Sequence, residues 1–315
     1  MPPVPLPNIP PGTLPPGTTV QVGEHLVTIE KFLSEGGFAH VYLVRSSKPI
    51  GGLSLHVLKR VAVPDKESLK VVRKEVDVMK VLRNHPKIVN FIEATASNLP
   101  HSNGYEVFIL MEFCAGGGII DMLNTRLQNR LTEFEILKIF SDTVEAVAHM
   151  HYQNPPLIHL DLKVENILLA PGPPQTFKLC DFGSTRPPLP QSPASVPELQ
   201  ALETEINRTT TLQYRSPELV DVWRRGGMAE PVDIWALGVL LYKLCYYTTP
   251  FEEHGPLAIL SVQYKFPPFP AYSNEMKALI SSMLQEHPSS RPNIYQVHER
   301  VCKLRGIPVR LENVS

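Results

Sequence analysis

Asp161, Lys163, Asn166 and Asp181 are residue types that can move a phosphoryl group, and they stand close together in the sequence. Phosphoryl transfer asks little covalent chemistry of a protein: a nucleotide must be positioned, charge neutralised and an attacking hydroxyl oriented. The octet His159-Leu160-Asp161-Leu162-Lys163-Val164-Glu165-Asn166 supplies three such groups. Asp161 can accept or orient the hydroxyl proton, Lys163 can balance charge on the moving group, and Asn166 can hold a magnesium ion. Asp181-Phe182-Gly183 follows a short apolar run, and Asp181 supplies a second magnesium ligand. Each polar residue alone also reads as an ordinary turn residue. At these offsets between two short strands, the chemical reading is the stronger one.

Upstream, Val57-Leu58-Lys59 lies on an apolar strand, from which Lys59 can reach the α- and β-phosphates of ATP. Glu75 lies on the following helix and is the expected ion-pair partner of Lys59; Asp77, two residues on, should face elsewhere. Ser34-Glu35-Gly36-Gly37-Phe38-Ala39-His40-Val41 sits between two strands as a phosphate cover, with Ser34, Gly36, Gly37, Ala39 and Val41 placed to touch the nucleotide. Small side chains there allow close backbone approach, and Gly36 is expected to make the tightest contact. Met111-Glu112-Phe113-Cys114 is the expected hinge: its backbone can bind adenine, with Met111 gating the space behind. Charged helix faces and apolar strand ends are the plain alternatives for these residues. Thr211 is expected to contact Asp161 and Lys163, Glu218 to pair with Arg291 in a buried structural ion pair, and Asp233 to tie the loop of Asp161 to its own helix.

These groups need a scaffold, and the patterning supplies one. His25–Leu33 and Val41–Arg45 read as a hairpin, Leu53–Val61 as a third strand, and Ile88–Glu93 and Tyr105–Met111 as two more, with a polar loop over Ala96–Gly104. Lys66–Leu82 carries Leu69, Val72, Val76, Met79 and Leu82 at helical spacing. Thr132-x-x-Glu135 is a capping box opening a helix to about His151, lined by Ile136, Phe140, Val144 and Val147. Short strands are expected near Ile167–Leu169 and Phe177–Cys180. Residues 184–209 read as a proline-studded loop with a helical turn or two over Pro197–Ile206. Pro231–Tyr247 is apolar nearly all round, the mark of a core helix, and Ser273–Leu284 and Asn293–Leu304 complete a helical second half. The fold class is α+β, in two lobes: a Pro-rich disordered leader over 1–20, a small β-rich lobe with one main helix and the hinge over 21–114, a large α-helical lobe over 115–305, and a tail over 306–315.

The chain has 315 residues, 43% of them hydrophobic, enough for a packed core. A formal net charge of −1 gives no reason to expect nucleic acid. Cys114, Cys180, Cys245 and Cys302 form no Cys-x-x-Cys pair, so reduced thiols are expected rather than zinc or disulfides. No signal peptide, myristoylation motif or apolar membrane span is read, and Asn207-Arg208-Thr209 is taken as a chance glycosylation pattern. Residues 1–18 hold eight prolines; Pro2-x-x-Pro5 and Pro7-x-x-Pro10 can dock an SH3-type groove, or form a plain extended tail.

From about His25 to Leu304 the chain resembles the eukaryotic protein kinases, and Lys163 and Thr211 point to the serine/threonine branch. More specific phrases are Ser34-Glu35-Gly36-Gly37-Phe38-Ala39-His40-Val41, Leu162-Lys163-Val164-Glu165-Asn166, Thr210-Thr211-Leu212-Gln213-Tyr214-Arg215 and Arg291-Pro292-Asn293-Ile294-Tyr295-Gln296-Val297. In these the chain is similar to the Numb-associated kinase family, which includes adaptor-associated, cyclin-G-associated and fungal actin-regulating kinases. The resemblance implies ATP and Mg2+ as cofactors. It implies threonine-directed phosphorylation of clathrin-adaptor or actin-patch proteins, by a monomer recruited in the cytoplasm to endocytic or cortical actin sites without membrane insertion. Members often carry long C-terminal tails, so a chain ending at Ser315 reads as a fragment or a short form. The family usually has arginine where Leu160 stands, which implies activity independent of activation-segment phosphorylation. A pseudokinase scaffold is the competing reading, supported by Leu160, Ser34 and Ala39 and opposed by the complete set Lys59, Glu75, Asp161, Lys163, Asn166 and Asp181.

Overall fold

The computed structural model describes residues 10–36, 39–99, 103–224 and 226–314. Two compact units divide the chain: one up to Asn84 together with Val89–Phe113, the other His85–Ile88 together with the chain from Cys114.

In the first unit the elements are Thr19–Val22 (β1), His25–Gly36 (β2), Ala39–Ile50 (β3), Leu53–Val63 (β4), Lys66–Leu82 (α1), Phe91–Asn98 (β5) and Tyr105–Glu112 (β6). They build a six-stranded sheet, among the described residues, in the order β1-β2-β3-β4-β6-β5. Gly51 and Gly52, both at positive φ (57° and 82°), join β3 to β4. Two such residues make the tight hairpin turn whose twist matches the strands. Val20, Val22, Val27, Ile29, Tyr42, Val44 and Leu58 form the core beneath the sheet. In α1, Asp65 accepts the Ser68 N–H at 2.7 Å as N-cap, and the predicted stripe Leu69, Val72, Val76, Met79 and Leu82 is buried.

The disordered leader expected over 1–20 is corrected for its described part, from residue 10 on. Residues 10–20 are not free: the Leu14 N–H donates to the Tyr42 hydroxyl at 3.0 Å, Arg60 Nη1 donates to the Gly12 carbonyl at 2.5 Å, and Leu14 packs against the core. Gly17 donates to the Ile29 carbonyl and Ile29 to the Thr18 carbonyl, each at 2.8 Å. The reason is the alternation from Thr19 to Val22, which buries Val20 and Val22 and adds β1 to the sheet. Pro2-x-x-Pro5, most of Pro7-x-x-Pro10, and Gly37 lie outside the described residues.

The second unit holds Ile119–Thr125 (α2), Glu133–His151 (α3), Ile167–Leu169 (β7), Phe177–Leu179 (β8), Val196–Thr209 (α4), Pro217–Val220 (α5), Pro231–Tyr246 (α6), Gly255–Leu260 (α7), Asn274–Met283 (α8) and Ile294–Arg305 (α9). Helix α6 is buried nearly all round, with Trp235 wholly enclosed. Ile88, expected in a strand with residues 89–93, instead bridges to Leu179. Lys87 fixes that segment by pairing with buried Asp142 at 2.9 Å. The fourteen-residue α4 replaces the turn or two expected over 197–206. Its start is a second capping box, Ser195 with Glu198, and Pro197 sits in the first turn where a missing N–H costs nothing. No helix of the described residues is long and apolar enough to cross a membrane.

The capping box of α3 is present as read, with Thr132 Oγ1 and Glu135 closing it. Arg126 hydrogen-bonds Glu135 and, outweighing partial desolvation, holds its carboxyl down at about 2. A carboxylate with a depressed folded pKa stabilises the fold above its unfolded value of about 4.3 and loses that contribution as pH falls through the folded value. Arg126→Ala should therefore destabilise at about pH 7, with the difference from wild type shrinking toward about pH 3. Denaturant titrations at the two pH values check this; a constant difference would contradict it.

Candidate active site

The first unit lines up its candidate residues by strand register. Ser34 pairs with Val41 across β2 and β3, Val41 with Lys59 across β3 and β4, and Lys59 with Ile109 across β4 and β6. Directly opposed residues share a face, and so do residues two apart on one strand. Ala39, opposite Val61, and Met111, opposite Val57, therefore join Ser34, Val41 and Lys59 on one face. Gly36 pairs with Ala39 at the end of the hairpin, with open space where a Cβ would stand. From α1, Glu75 meets Lys59, Nζ to Oε1 2.6 Å, with only 20% and 10% of the two side chains exposed. Asp77 is exposed, as its spacing predicts. Glu112 turns away: its Oε2 accepts the Asn90 N–H at 3.0 Å. Cys114 belongs to the second unit, where it is buried and its carbonyl accepts the Gly117 N–H at 3.1 Å.

In the second unit the loop before β7 carries the candidate residues. Lys163 Nζ lies 2.6 Å from Asp161 Oδ2, and Thr211 Oγ1 donates to Asp161 Oδ1 at 2.7 Å. Lys163 also donates to Thr211 at 3.1 Å, so the three close a triangle. Asn166 Nδ2 donates to the Asp161 carbonyl at 2.8 Å, which fixes the amide and leaves Oδ1 as its oxygen suited to a hard cation. The Cys180 N–H donates to the Asn166 carbonyl at 2.9 Å, tying Asn166 to the approach of Asp181. Phe182 is buried edge-on to His159, with ring centroids 5.5 Å apart, while Asp181 takes φ 63° and stays exposed. Asparagine and aspartate tolerate that left-handed region better than other side chains.

Asp233 holds the loop from below. Its carboxylate accepts the His159 N–H at 2.8 Å and the Leu160 N–H at 3.0 Å, and lies 3.1 Å from His151 Nε2. Burial pushes this carboxyl up, but the hydrogen bonds and charge of His151 and His159 outweigh it and hold it below the usual range. Arg291 grips Glu218 with both terminal nitrogens, at 2.6 and 2.8 Å. The expected contacts of Thr211, Glu218 and Asp233 are all present.

The donor set suits a nucleotide-bound divalent ion. Among the described residues no cluster of three or more His, Cys, Asp or Glu could hold a metal by itself. Magnesium at nucleotides typically takes one or two carboxylates and completes its shell with phosphates and water.

A family model for the protein kinase domain matches residues 27–301. The chain belongs to the protein kinase domain family. It is 54% identical, over 94% of its own length and 30% of the relative's, to serine/threonine-protein kinase ppk30 of Schizosaccharomyces pombe. To actin-regulating kinase 1 of Saccharomyces cerevisiae it is 47% identical, over 96% of this chain and 48% of that one. To actin-regulating kinase PRK1 of the same yeast it is 48% identical, over 94% of this chain and 36% of that one. The chain thus spans less than half the length of these relatives, and the resemblance to the Numb-associated kinases, a family that includes the fungal actin-regulating kinases, is borne out.

Two parts of the kinase domain's site escaped the sequence reading. His151, the second partner of Asp233, looked like one more residue at the end of α3. Arg215 caps the C-terminus of α4, donating to the carbonyls of Ile206 (3.3 Å), Asn207 (3.4 Å) and Thr210 (3.0 Å). An arginine a few residues past a helix is a legible C-terminal cap, but only once the helix itself has been recognised.

Proposed function

We propose that this kinase domain transfers the γ-phosphoryl group of ATP to a serine or threonine hydroxyl of a protein. The observation that carries the reading is the Asp161–Lys163–Thr211 triangle. It holds a carboxylate ready to take a hydroxyl proton beside a cation ready to balance charge on the group in flight. Asn166 and Asp181 would hold magnesium, which when bound neutralises charge on the nucleotide phosphates. Lys59, held by Glu75, would contact the α- and β-phosphates. Ser34, Gly36, Gly37, Ala39 and Val41 would cover the nucleotide, and Met111 with the backbone of Glu112 and Cys114 would receive adenine. The intact charge set gives the scaffold alternative no support.

Lys59→Met should lower transfer by about 100-fold or more, the scale of losing one preorganised donor to a charged group. Glu75→Gln should lower it less, because Lys59 remains but is no longer fixed. Initial rates at saturating ATP check the order; equal losses would contradict it.

From the resemblance to the Numb-associated kinases, and with the names of the two actin-regulating relatives in support, we infer that the substrates are threonine-containing segments of clathrin-adaptor or actin-patch proteins, phosphorylated at endocytic or cortical actin sites. Magnesium-dependent transfer to a threonine peptide from a clathrin-adaptor subunit, compared with a generic basic protein, tests this. Preference for the adaptor peptide supports the endocytic assignment. Transfer to the basic protein alone would leave a serine/threonine kinase of other substrates.

A further inference from the structure

A four-residue phrase occurs twice ahead of β1, as Pro10-Pro11-Gly12-Thr13 and Pro15-Pro16-Gly17-Thr18. Both copies fold the same way. Gly12 and Gly17 stand at φ 80° and 86°. The N–H of each threonine donates to the carbonyl of the first proline, at 3.4 Å for Thr13 and 3.2 Å for Thr18. Each threonine hydroxyl donates to the same carbonyl, at 2.9 and 2.7 Å. Proline followed by glycine at positive φ is the pattern of a type II turn. Proline also narrows the unfolded ensemble, so the two turns lose little entropy on ordering.

The turns hold the sheet by the face opposite to the candidate nucleotide face. Val41 and Lys59 are cross-strand partners that share a face with Ser34, Ala39 and Met111. Their chain neighbours Tyr42 and Arg60 point the other way, because side chains alternate along a strand. Both neighbours are gripped. The Tyr42 hydroxyl accepts the Leu14 N–H at 3.0 Å, and Arg60 donates to the Gly12 carbonyl at 2.5 Å. Arg60 also pairs with Glu106 of β6 at 2.5 Å. The Leu14 side chain packs on the cluster that contains Tyr42 and Leu58. Tyr42 in turn meets Phe32 and His40 edge-on, with ring centroids 5.9 and 6.3 Å apart. The grip at Leu14 therefore reaches the end of the hairpin that carries Ser34 and Val41.

We propose, on the kinase reading above, that residues 10–18 are a positioning strap for nucleotide binding: by gripping Tyr42 and Arg60 from behind, the two turns set the strands that present Val41 and Lys59 to ATP. A close-packed sheet transmits a displacement from one face to the other. Lys59 keeps its own anchor in Glu75, so release of the strap acts on the phosphate cover and on nucleotide affinity more than on the transfer step.

Both glycines have open space where a Cβ would stand, so substitution there acts through the backbone alone. Valine resists positive φ, whereas asparagine tolerates it. The double variant Gly12→Val, Gly17→Val should raise the KM for ATP and the Kd for ADP by about 5-fold or more, the lower end of a typical coupling between two sites. Its kcat should stay near the wild-type value, and hydrogen exchange should quicken across residues 10–22 and 39–44. Gly12→Asn with Gly17→Asn should bind nucleotide as the wild type does. Tyr42→Phe, which removes only the acceptor for Leu14, should shift KM in the same direction as the valines. A strap that served stability alone would lower the melting temperature and leave KM and Kd unchanged. That result, or a fall in kcat at unchanged KM, would overturn the proposal. Exchange over 39–44 is read without nucleotide, so it reports on the strap even if the wild-type chain transfers no phosphate.

Discussion

Asp161→Asn is expected to lower phosphoryl transfer by about 100-fold to 10,000-fold, the range for loss of a positioned general base, while the fold survives. Asparagine keeps the shape of aspartate and one acceptor oxygen, so the hydroxyl of Thr211, now 2.7 Å from Oδ1, can still be received. What disappears is the negative charge that Lys163 faces at 2.6 Å and the capacity to take a proton at neutral pH. Lys163 keeps Thr211 as a partner at 3.1 Å, so the uncompensated cation is not stranded. Steady-state rates with circular-dichroism melts of both proteins check the pair of outcomes. A large drop in melting temperature would mean that the rate was lost through unfolding and would remove this variant as evidence for Asp161.

Arg291→Ala is expected to cause the largest loss of stability of any single change considered, about 3–5 kcal/mol, because it strands a buried charge. The Arg291 side chain is 0% exposed and that of Glu218 6%. Besides the two-pronged grip on Glu218, Arg291 donates to the carbonyls of Gln285 (2.9 Å), Pro231 (2.9 Å) and Glu286 (3.0 Å), and its guanidinium lies 5.1 Å from the Trp235 ring centroid. Removing it leaves Glu218 and three carbonyls to find new partners. Glu218→Gln should cost less, since the amide oxygen still accepts from the guanidinium. A double-mutant cycle in urea would separate the pair from its surroundings; a loss below about 1 kcal/mol for Arg291→Ala, as for an exposed pair, would contradict the burial argument.

The geometry of the candidate site was legible because its residues fall in short local phrases. Asp161, Lys163 and Asn166 lie within one loop, and the triangle needs only Thr211 from elsewhere. The partnership of Lys59 with Glu75 was legible for a different reason: an apolar strand and a helix of strict period left one acidic residue on the right face. The cross-strand alignment of Ser34, Val41 and Lys59 was not legible. It depends on irregularities in β2, between Ile29 and Lys31 and between Phe32 and Ser34, and a one-residue slip there would turn every later side chain to the other face.

Helix α4 was missed although its start, Ser195-x-x-Glu198, has the same form as the Thr132-x-x-Glu135 that revealed α3. The prolines around it suggested a loop, whereas Pro197 occupies the one helical turn where proline is tolerated. Strand β1 was hidden by the proline-rich residues before it, since four residues are too few for a periodic signal. The apolar surroundings of Leu160 come from residues spread between Ile158 and Val232, and no local pattern announces them.

Incubating the chain with γ-labelled ATP, magnesium and a generic protein substrate, then hydrolysing the product and identifying the labelled amino acid, reads the transferred group itself. Label is expected on phosphoserine or phosphothreonine with the wild-type chain and almost none with Asp161→Asn. No label with the wild type, although ATP still binds, would contradict the kinase reading and leave a nucleotide-binding scaffold; label on phosphotyrosine would contradict the roles given to Lys163 and Thr211.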